Sequence, residues 1–237
     1  MDARKLNTES IQRNLFAHLH KEITITTAGE ISGGCINQCY HIKTNEKDYF
    51  LKVNNAVKYP GMFAAEAKGL ALLQNACPGF TPEVILQYAE SGTQYLILEY
   101  LASGYREKNY WQQFAENLTQ IHKSTNSYFG LDHHNYIGAI PQINTPADKW
   151  SDFFVQCRIE PLLSDAFDKK YIAQSTARKF NKLYSRIENL FPPEKPSLVH
   201  GDLWGGNHIT GNDGFGKLID PAVYYGHREM DLAMMHL

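Results

Sequence analysis

Two aspartates and an asparagine near the end of the chain are spaced to do chemistry. The string His200-Gly201-Asp202-Leu203-Trp204-Gly205-Gly206-Asn207 sets a carboxylate and an amide five residues apart in a glycine-rich loop. Lys217-Leu218-Ile219-Asp220-Pro221 then brings a second carboxylate to the end of a short apolar run. Phosphoryl transfer asks for this set. One carboxylate orients and deprotonates the attacking hydroxyl, and an amide and another carboxylate hold metal ions on the phosphates. Asp202 is read as the base, and Asn207 and Asp220 as the ligands of Mg2+. His200 is expected to pack and hydrogen-bond to shape the loop, because Asp202 already fills the base role.

The phosphates of ATP need a grip of their own. Lys52 sits in a short β-branched and aromatic run, and Glu66 follows fourteen residues later in an alanine- and leucine-rich stretch. A strand lysine reaching the phosphates, steadied by a helix glutamate, is the arrangement of the kinase fold. Ser32-Gly33-Gly34-Cys35-Ile36-Asn37 falls between two strand-like runs, where a glycine hairpin lets backbone N–H groups approach phosphates. Gly33, Gly34, Cys35 and Asn37 are therefore nucleotide-loop candidates. The segment departs from G-x-G-x-x-G, and no Gly-Lys-Ser/Thr makes it a Walker loop. Leu96-Ile97-Leu98-Glu99-Tyr100-Leu101 runs from strand into linker, where backbone groups take the adenine edge. Glu99 and Leu101 are the candidates there.

These groups need two different supports. A loose helical spacing over 5–20 precedes strands at 23–27, 39–43 and 49–53, a helix at 62–73, and strands at 83–88 and 95–100. Five strands with one inserted helix predict an antiparallel first lobe. Beyond it the pattern turns helical. Trp111, Phe114, Ala115, Leu118 and Ile121 keep a 3.6 period, a second helix surrounds Trp150 to Leu162, and a third is expected over 166–190, ended by Pro192-Pro193. A short strand 197–200 delivers the Asp202 loop. Gly211-Asn212-Asp213-Gly214 is a hairpin turn, a strand 217–220 follows, and the chain closes in a helix. The expected fold is α+β and bilobal, protein-kinase-like, with residues 1–101 as nucleotide-binding lobe and 102–237 as catalytic and acceptor-binding lobe.

The bulk numbers exclude several classes. Hydrophobic residues are 43% and charged residues 20% of 237, ordinary globular values. A net charge of −2 offers no basic field for nucleic acid or an anionic membrane. No apolar run approaches a membrane span and no signal-peptide core follows the start, so the cytoplasm is expected. The four cysteines, Cys35, Cys39, Cys77 and Cys157, form no C-x-x-C pair, which predicts reduced thiols rather than a zinc site. Regulated protein kinases carry Arg directly before the catalytic Asp and a long activation segment after the metal-binding one. Here Gly201 stands in the first place and seventeen residues follow Asp220. A small molecule or a side-chain adduct fits better as acceptor than a protein hydroxyl.

Taken together the motifs resemble the fructosamine kinases (ketosamine-3-kinases), within the aminoglycoside-phosphotransferase-like group. The resemblance is carried by Gly33 to Asn37, Phe50 to Val53, Ala65 to Leu70, Tyr136-Ile137-Gly138 with Pro141-Gln142, Trp150 with Phe153-Phe154 and Arg158-Ile159, and above all by His200 to Asn207 and Asp220 to Glu229. It implies ATP- and Mg2+-dependent phosphorylation of the 3-hydroxyl of ketosamines, as small molecules or on glycated proteins, followed by loss of the sugar from the amine. It implies that Trp204 lines the sugar site and that Asp231 buttresses the catalytic loop. It also makes Cys35 a redox candidate, in a monomer or a redox-linked homodimer. The family usually continues for about fifty more residues of helix, so the last helices of the second lobe are expected to be missing. The alternatives are a kinase for another hydroxylated amine, such as an aminoglycoside or choline, or an inert nucleotide-binding relative.

Overall fold

The computed structural model describes residues 6–31 and 36–237. Gly33, Gly34 and Cys35 lie outside the described residues. The chain opens with α1 (Thr8–Leu19), whose Asn7 side chain caps the Ser10 N–H. Strands β1 (Ile25–Ile31), β2 (Gln38–Thr44) and β3 (Tyr49–Asn55) follow, then α2 (Met62–Ala76), β4 (Val84–Glu90) and β5 (Thr93–Glu99). The five strands form one sheet in the order β1-β2-β3-β5-β4, every neighbouring pair antiparallel. This is the predicted first lobe, with the inserted helix in its predicted place.

The strand period of two sorts β3 between the two sides of that sheet. Tyr49, Leu51 and Val53 join Ile11 and Leu15 of α1 in one core, whereas Phe50 packs with Phe63 and Leu70 of α2 in another. Lys52 shares the phase of Phe50 and so faces α2. On α2 the buried Phe63 and Leu70 are seven apart, and Glu66 lies at three and four residues from them, on the same stripe. Two elementary periodicities thus aim a strand cation and a helix anion at each other.

The second part is mainly helical, with α3 (Tyr110–Lys123), α4 (Trp150–Phe154), a π-helical turn (Val155–Ile159), α5 (Glu160–Asp168), α6 (Gln174–Ile187) and α7 (Glu229–Met234). Four short strand pieces complement them in two-stranded pairs: β8 (Ser197–Val199) with β11 (Tyr224–Gly226), and β9 (His208–Thr210) with β10 (Gly216–Leu218). A further hairpin joins β6 (Asn135–Ile137) to β7 (Ile140–Gln142). The core here holds Phe114, Leu118 and Ile121 of α3, Trp150 and Phe153 of α4, and Leu198, Val199, Leu203 and Leu218 beside the loops. No helix of the described residues is long and apolar enough to cross a membrane.

Two expected elements differ. The helix over 166–190 is two helices: Lys170 adopts a left-handed φ of 61° between α5 and α6. Nothing in the composition of Lys169-Lys170-Tyr171 announces the break, because neither Gly nor Pro marks it. The strand expected over 217–220 stops at Leu218, and Asp220 itself is left-handed, at φ 54°. Aspartate tolerates that region because its short polar side chain finds local partners.

Candidate active site

Lys52 is the hub. Its side chain is 3% exposed, and Nζ lies 2.6 Å from Glu66 Oε1 and is also hydrogen-bonded to Asp220 Oδ1. Burial alone would lower its pKa, but the Glu66 and Asp220 carboxylates outweigh that and hold it above the usual lysine range. The ammonium stays charged, and one cation joins the sheet, the α2 helix and the second lobe.

The loop after β8 is tied from beneath. Asp231, at the start of α7 and fully buried, accepts hydrogen bonds from the His200 N–H at 2.8 Å and the Gly201 N–H at 2.9 Å, and it pairs with His122 Nε2 at 2.9 Å. This is the buttress the resemblance implied. His200 is also fully buried. Its Nε2 donates to Ile219 O at 3.0 Å while Nδ1 accepts from Asp202 N–H at 3.3 Å. That pattern is the neutral tautomer, and burial does lower its pKa, against the pull of Asp231. His200 therefore ties the Asp202 loop to the strand leading to Asp220, as a shaping residue should.

Gly201 shows why arginine has no place before Asp202. Its φ is +80°, and a Cβ there would lie 2.2 Å from Ala222 O. The close approach lets Ala222 N–H bond His200 O at 2.9 Å. Asn207 closes the loop by giving Nδ2 to both Asp202 O and Asp202 Oδ2, each at 2.8 Å. Its own carbonyl accepts from Ile219 N–H at 3.0 Å, next to Asp220. Asp202, Asn207 and Asp220 are thus held within one hydrogen-bonded unit, with Asp202 Oδ1 left uncommitted. Burial raises the pKa of Asp202, partly offset by the Asn207 bond, with the nearby Asp220 adding to the rise.

The remaining candidates are placed as follows. Asn37 Oδ1 accepts from Asn54 Nδ2 at 2.8 Å, which anchors the end of the nucleotide-loop segment to β3. The Glu99 side chain accepts from Glu83 N–H at 3.2 Å and its own N–H donates to Glu83 O at 2.9 Å, so Glu99 is tied to the start of the neighbouring strand. Leu101 follows β5 as partly buried linker, and no backbone hydrogen bond within the described residues engages it. Trp204 is 47% exposed, so it is not a buried packing residue; its ring lies over Gly206, where a Cβ would meet it at 2.2 Å. Lys68 is on the exposed face of α2, and Cys39, Cys77 and Cys157 are buried free thiols. Burial pushes the Cys39 thiol up to about 11, far from thiolate reactivity.

The donor set suits magnesium. Asn207 turns its nitrogen to Asp202 and keeps Oδ1 free, and Asp220 has one oxygen beyond the one that Lys52 holds. Mg2+ takes hard oxygen ligands, often only one or two from protein, and leaves the rest to phosphates and water. No denser cluster of His, Cys, Asp or Glu gathers among the described residues.

Comparison with known proteins agrees with this geometry. The family model described as fructosamine kinase matches residues 7–237. The chain belongs to the fructosamine kinase family. It is 38% identical over 208 residues to a Synechocystis protein named "Probable ketoamine kinase", covering 87% of this chain and 70% of that one. It is 33% identical to the chloroplastic protein-ribulosamine 3-kinase of Arabidopsis thaliana, over 90% of this chain and 66% of the relative. A crystal structure of a Haemophilus somnus 129PT protein named "Putative fructosamine-3-kinase" superposes with a TM-score of 0.87 at 28% identity, covering 97% of this chain and 77% of that one. The aminoglycoside phosphotransferase APH(4)-Ia, in ternary complex with AMP-PNP and hygromycin B, gives 0.61 at 15% identity over 94% and 75%, a likeness of fold. The bilobal kinase-like α+β fold and membership of this kinase family stand on these likenesses.

Sequence reasoning missed one group of residues beside the site. Asn135, Gln142 and Asn144 are buried amides next to the Asp220 segment. Amides in a mid-chain stretch carry no periodic signal, and only Gln142 fell within a motif.

Proposed function

We propose that this protein transfers the γ-phosphoryl group of ATP to the 3-hydroxyl of ketosamines, on small amines or on protein lysines, and so initiates removal of the sugar. The first lobe, to residue 101, receives the nucleotide, and the rest of the chain supplies the base and the acceptor surface. The observation that carries the reading is the meeting of Lys52, Glu66, Asp202, Asn207 and Asp220 at one place, reached from strand, helix and two loops.

In this reading Asp202 Oδ1 accepts the proton of the acceptor hydroxyl as its oxygen bonds the γ-phosphorus, and the bond to the departing ADP breaks. Asn207 holds Asp202 by the other carboxylate oxygen, so the base cannot swing away. Lys52, fixed by Glu66, steadies the phosphates. Asn207 Oδ1 and Asp220 would hold Mg2+, which when bound neutralises charge on the phosphate oxygens. Trp204 offers an exposed aromatic face to the sugar ring. Curated relatives carrying ketoamine and ribulosamine kinase names support this acceptor class. The 3-phosphate makes the adduct labile and frees the amine, a deglycation repair step.

The test is ATP consumption with fructosyl- and ribulosyl-lysine peptides, against an aminoglycoside, choline and no acceptor. Turnover should follow the ketosamines. Asp202→Ala should lose roughly a hundred- to ten-thousand-fold in kcat while still binding nucleotide. Turnover of the aminoglycoside alone would overturn the substrate assignment, and full turnover in Asp202→Ala would overturn the base.

A further inference from the structure

The mid-chain residues that take no part in that reaction still converge on it. Asn135, Gln142 and Asn144, on and just after the β6–β7 hairpin, are 4%, 5% and 0% exposed. Leaving a buried amide without partners is costly, so its bonds disclose its purpose. Asn135 Nδ2 donates to Val223 O at 2.8 Å, and Gln142 Nε2 to Ala222 O at 3.0 Å. Asn135 Oδ1 in turn accepts from Gln142 Nε2 at 2.9 Å and Asn144 Nδ2 at 2.8 Å. Behind them Arg158 Nη2 donates to Asn144 Oδ1 at 2.8 Å.

Arg158 is an unusual residue to find in such a chain of amides. It stands on the π-helical turn, a feature that often marks functional positions. Among the described residues no carboxylate pairs with it; its guanidinium lies over the rings of Phe153 and Tyr224, 4.6 Å and 4.1 Å from their centroids. A cation in that setting is held by ring faces and carbonyls, in a fixed plane that suits positioning.

The two carbonyls gripped by this ladder occupy a junction. Ala222 O is the atom against which Gly201 must be a glycine, and Ala222 N–H bonds His200 O. Val223 packs on Gly69 of α2, where a Cβ would lie 2.9 Å from its methyl, one turn beyond Glu66. Asp220, two residues before Ala222, is the left-handed residue. We propose that the Arg158–Asn144–Asn135–Gln142 ladder is the positioning device of the metal end of the site: it fixes the backbone at 222–223 and thereby the turn that presents Asp220. The inference rests on the reading of Asp220 as a metal ligand.

The experiment is a Mn2+ titration by electron paramagnetic resonance in the presence of ADP, alongside kcat and thermal melting. It compares wild type with Asn135→Ser, Arg158→Lys, Asp220→Asn and Tyr136→Phe. The last removes only a bond from the same hairpin to Pro60 O. Asn135→Ser should weaken Mn2+ binding about ten-fold, in keeping with outer-shell partners of metal ligands. Arg158→Lys should weaken it in the same direction, and Tyr136→Phe should match wild type. Wild-type Mn2+ affinity in cooperatively melting Asn135→Ser and Arg158→Lys overturns the proposal. If Asn135→Ser does not fold, Arg158→Lys decides alone. Wild-type affinity in Asp220→Asn would instead remove the ligand reading beneath it; loss in Asp220→Asn with none in the two ladder variants removes only the ladder.

Discussion

Asp202 works in a setting that tunes it. Burial disfavours its charged form, and the Asn207 amide restores part of what burial takes. The net effect is a pKa above the 3.8 of an ordinary aspartate. In the proposed role Asp202 must be deprotonated to act, so turnover should rise with pH through that raised value. The acid limb of kcat/KM is accordingly expected above pH 3.8, and a limb at or below it would contradict the assignment. Most of the residues that meet here were legible in the sequence, because each carries a charge or an amide at a spacing fixed by its loop. Gly201 was legible only as a departure from the arginine of protein kinases. Its reason, the approach of Ala222 O, belongs to a segment some twenty residues later in sequence and cannot be read from the loop.

Among the elements, α7 has an influence beyond its length. It runs only from Glu229 to Met234, yet it supplies Asp231 to two backbone N–H groups of the Asp202 loop and to His122 of α3. Asp231→Ala would leave both N–H groups buried without an acceptor, at about 1–3 kcal/mol each. Thermal melting should show that loss of stability, and turnover should fall with it as the loop loosens; an unchanged melting temperature would count against the buttress. The first lobe was legible element by element, since strand alternation and a helical stripe survive any tertiary context. The second was less so. The three-residue strands β6, β7, β9 and β11 are too short to show a period; β6 and β7 complete each other, β9 is completed by β10, and β11 by the more distant β8. The left-handed Lys170 that divides α5 from α6 is likewise invisible to a reading that looks for Gly and Pro.

At the scale of the molecule, His200 links the site to stability. It is buried and held neutral, with its pKa below the ordinary 6.5. The unfolded chain takes up that proton near pH 6.5, the folded chain only at lower pH. The unfolded state binds more protons in that interval, so stability should decline as pH falls below about 6.5. His200→Gln, which keeps a donor toward Ile219 O, should flatten the melting-temperature profile between pH 7.5 and 5.5; an equally steep profile in the variant would refute this origin.

The convergence on Lys52 has an electrostatic consequence. Glu66, Asp202 and Asp220 bring three carboxylates to a region where Lys52 supplies one positive charge, so with all three ionised this group of side chains is anionic by two. A bare triphosphate would approach such a group against repulsion rather than toward a welcoming field. A divalent escort reverses the sign of that encounter, and the polyanion is then admitted as one half of a neutralised pair.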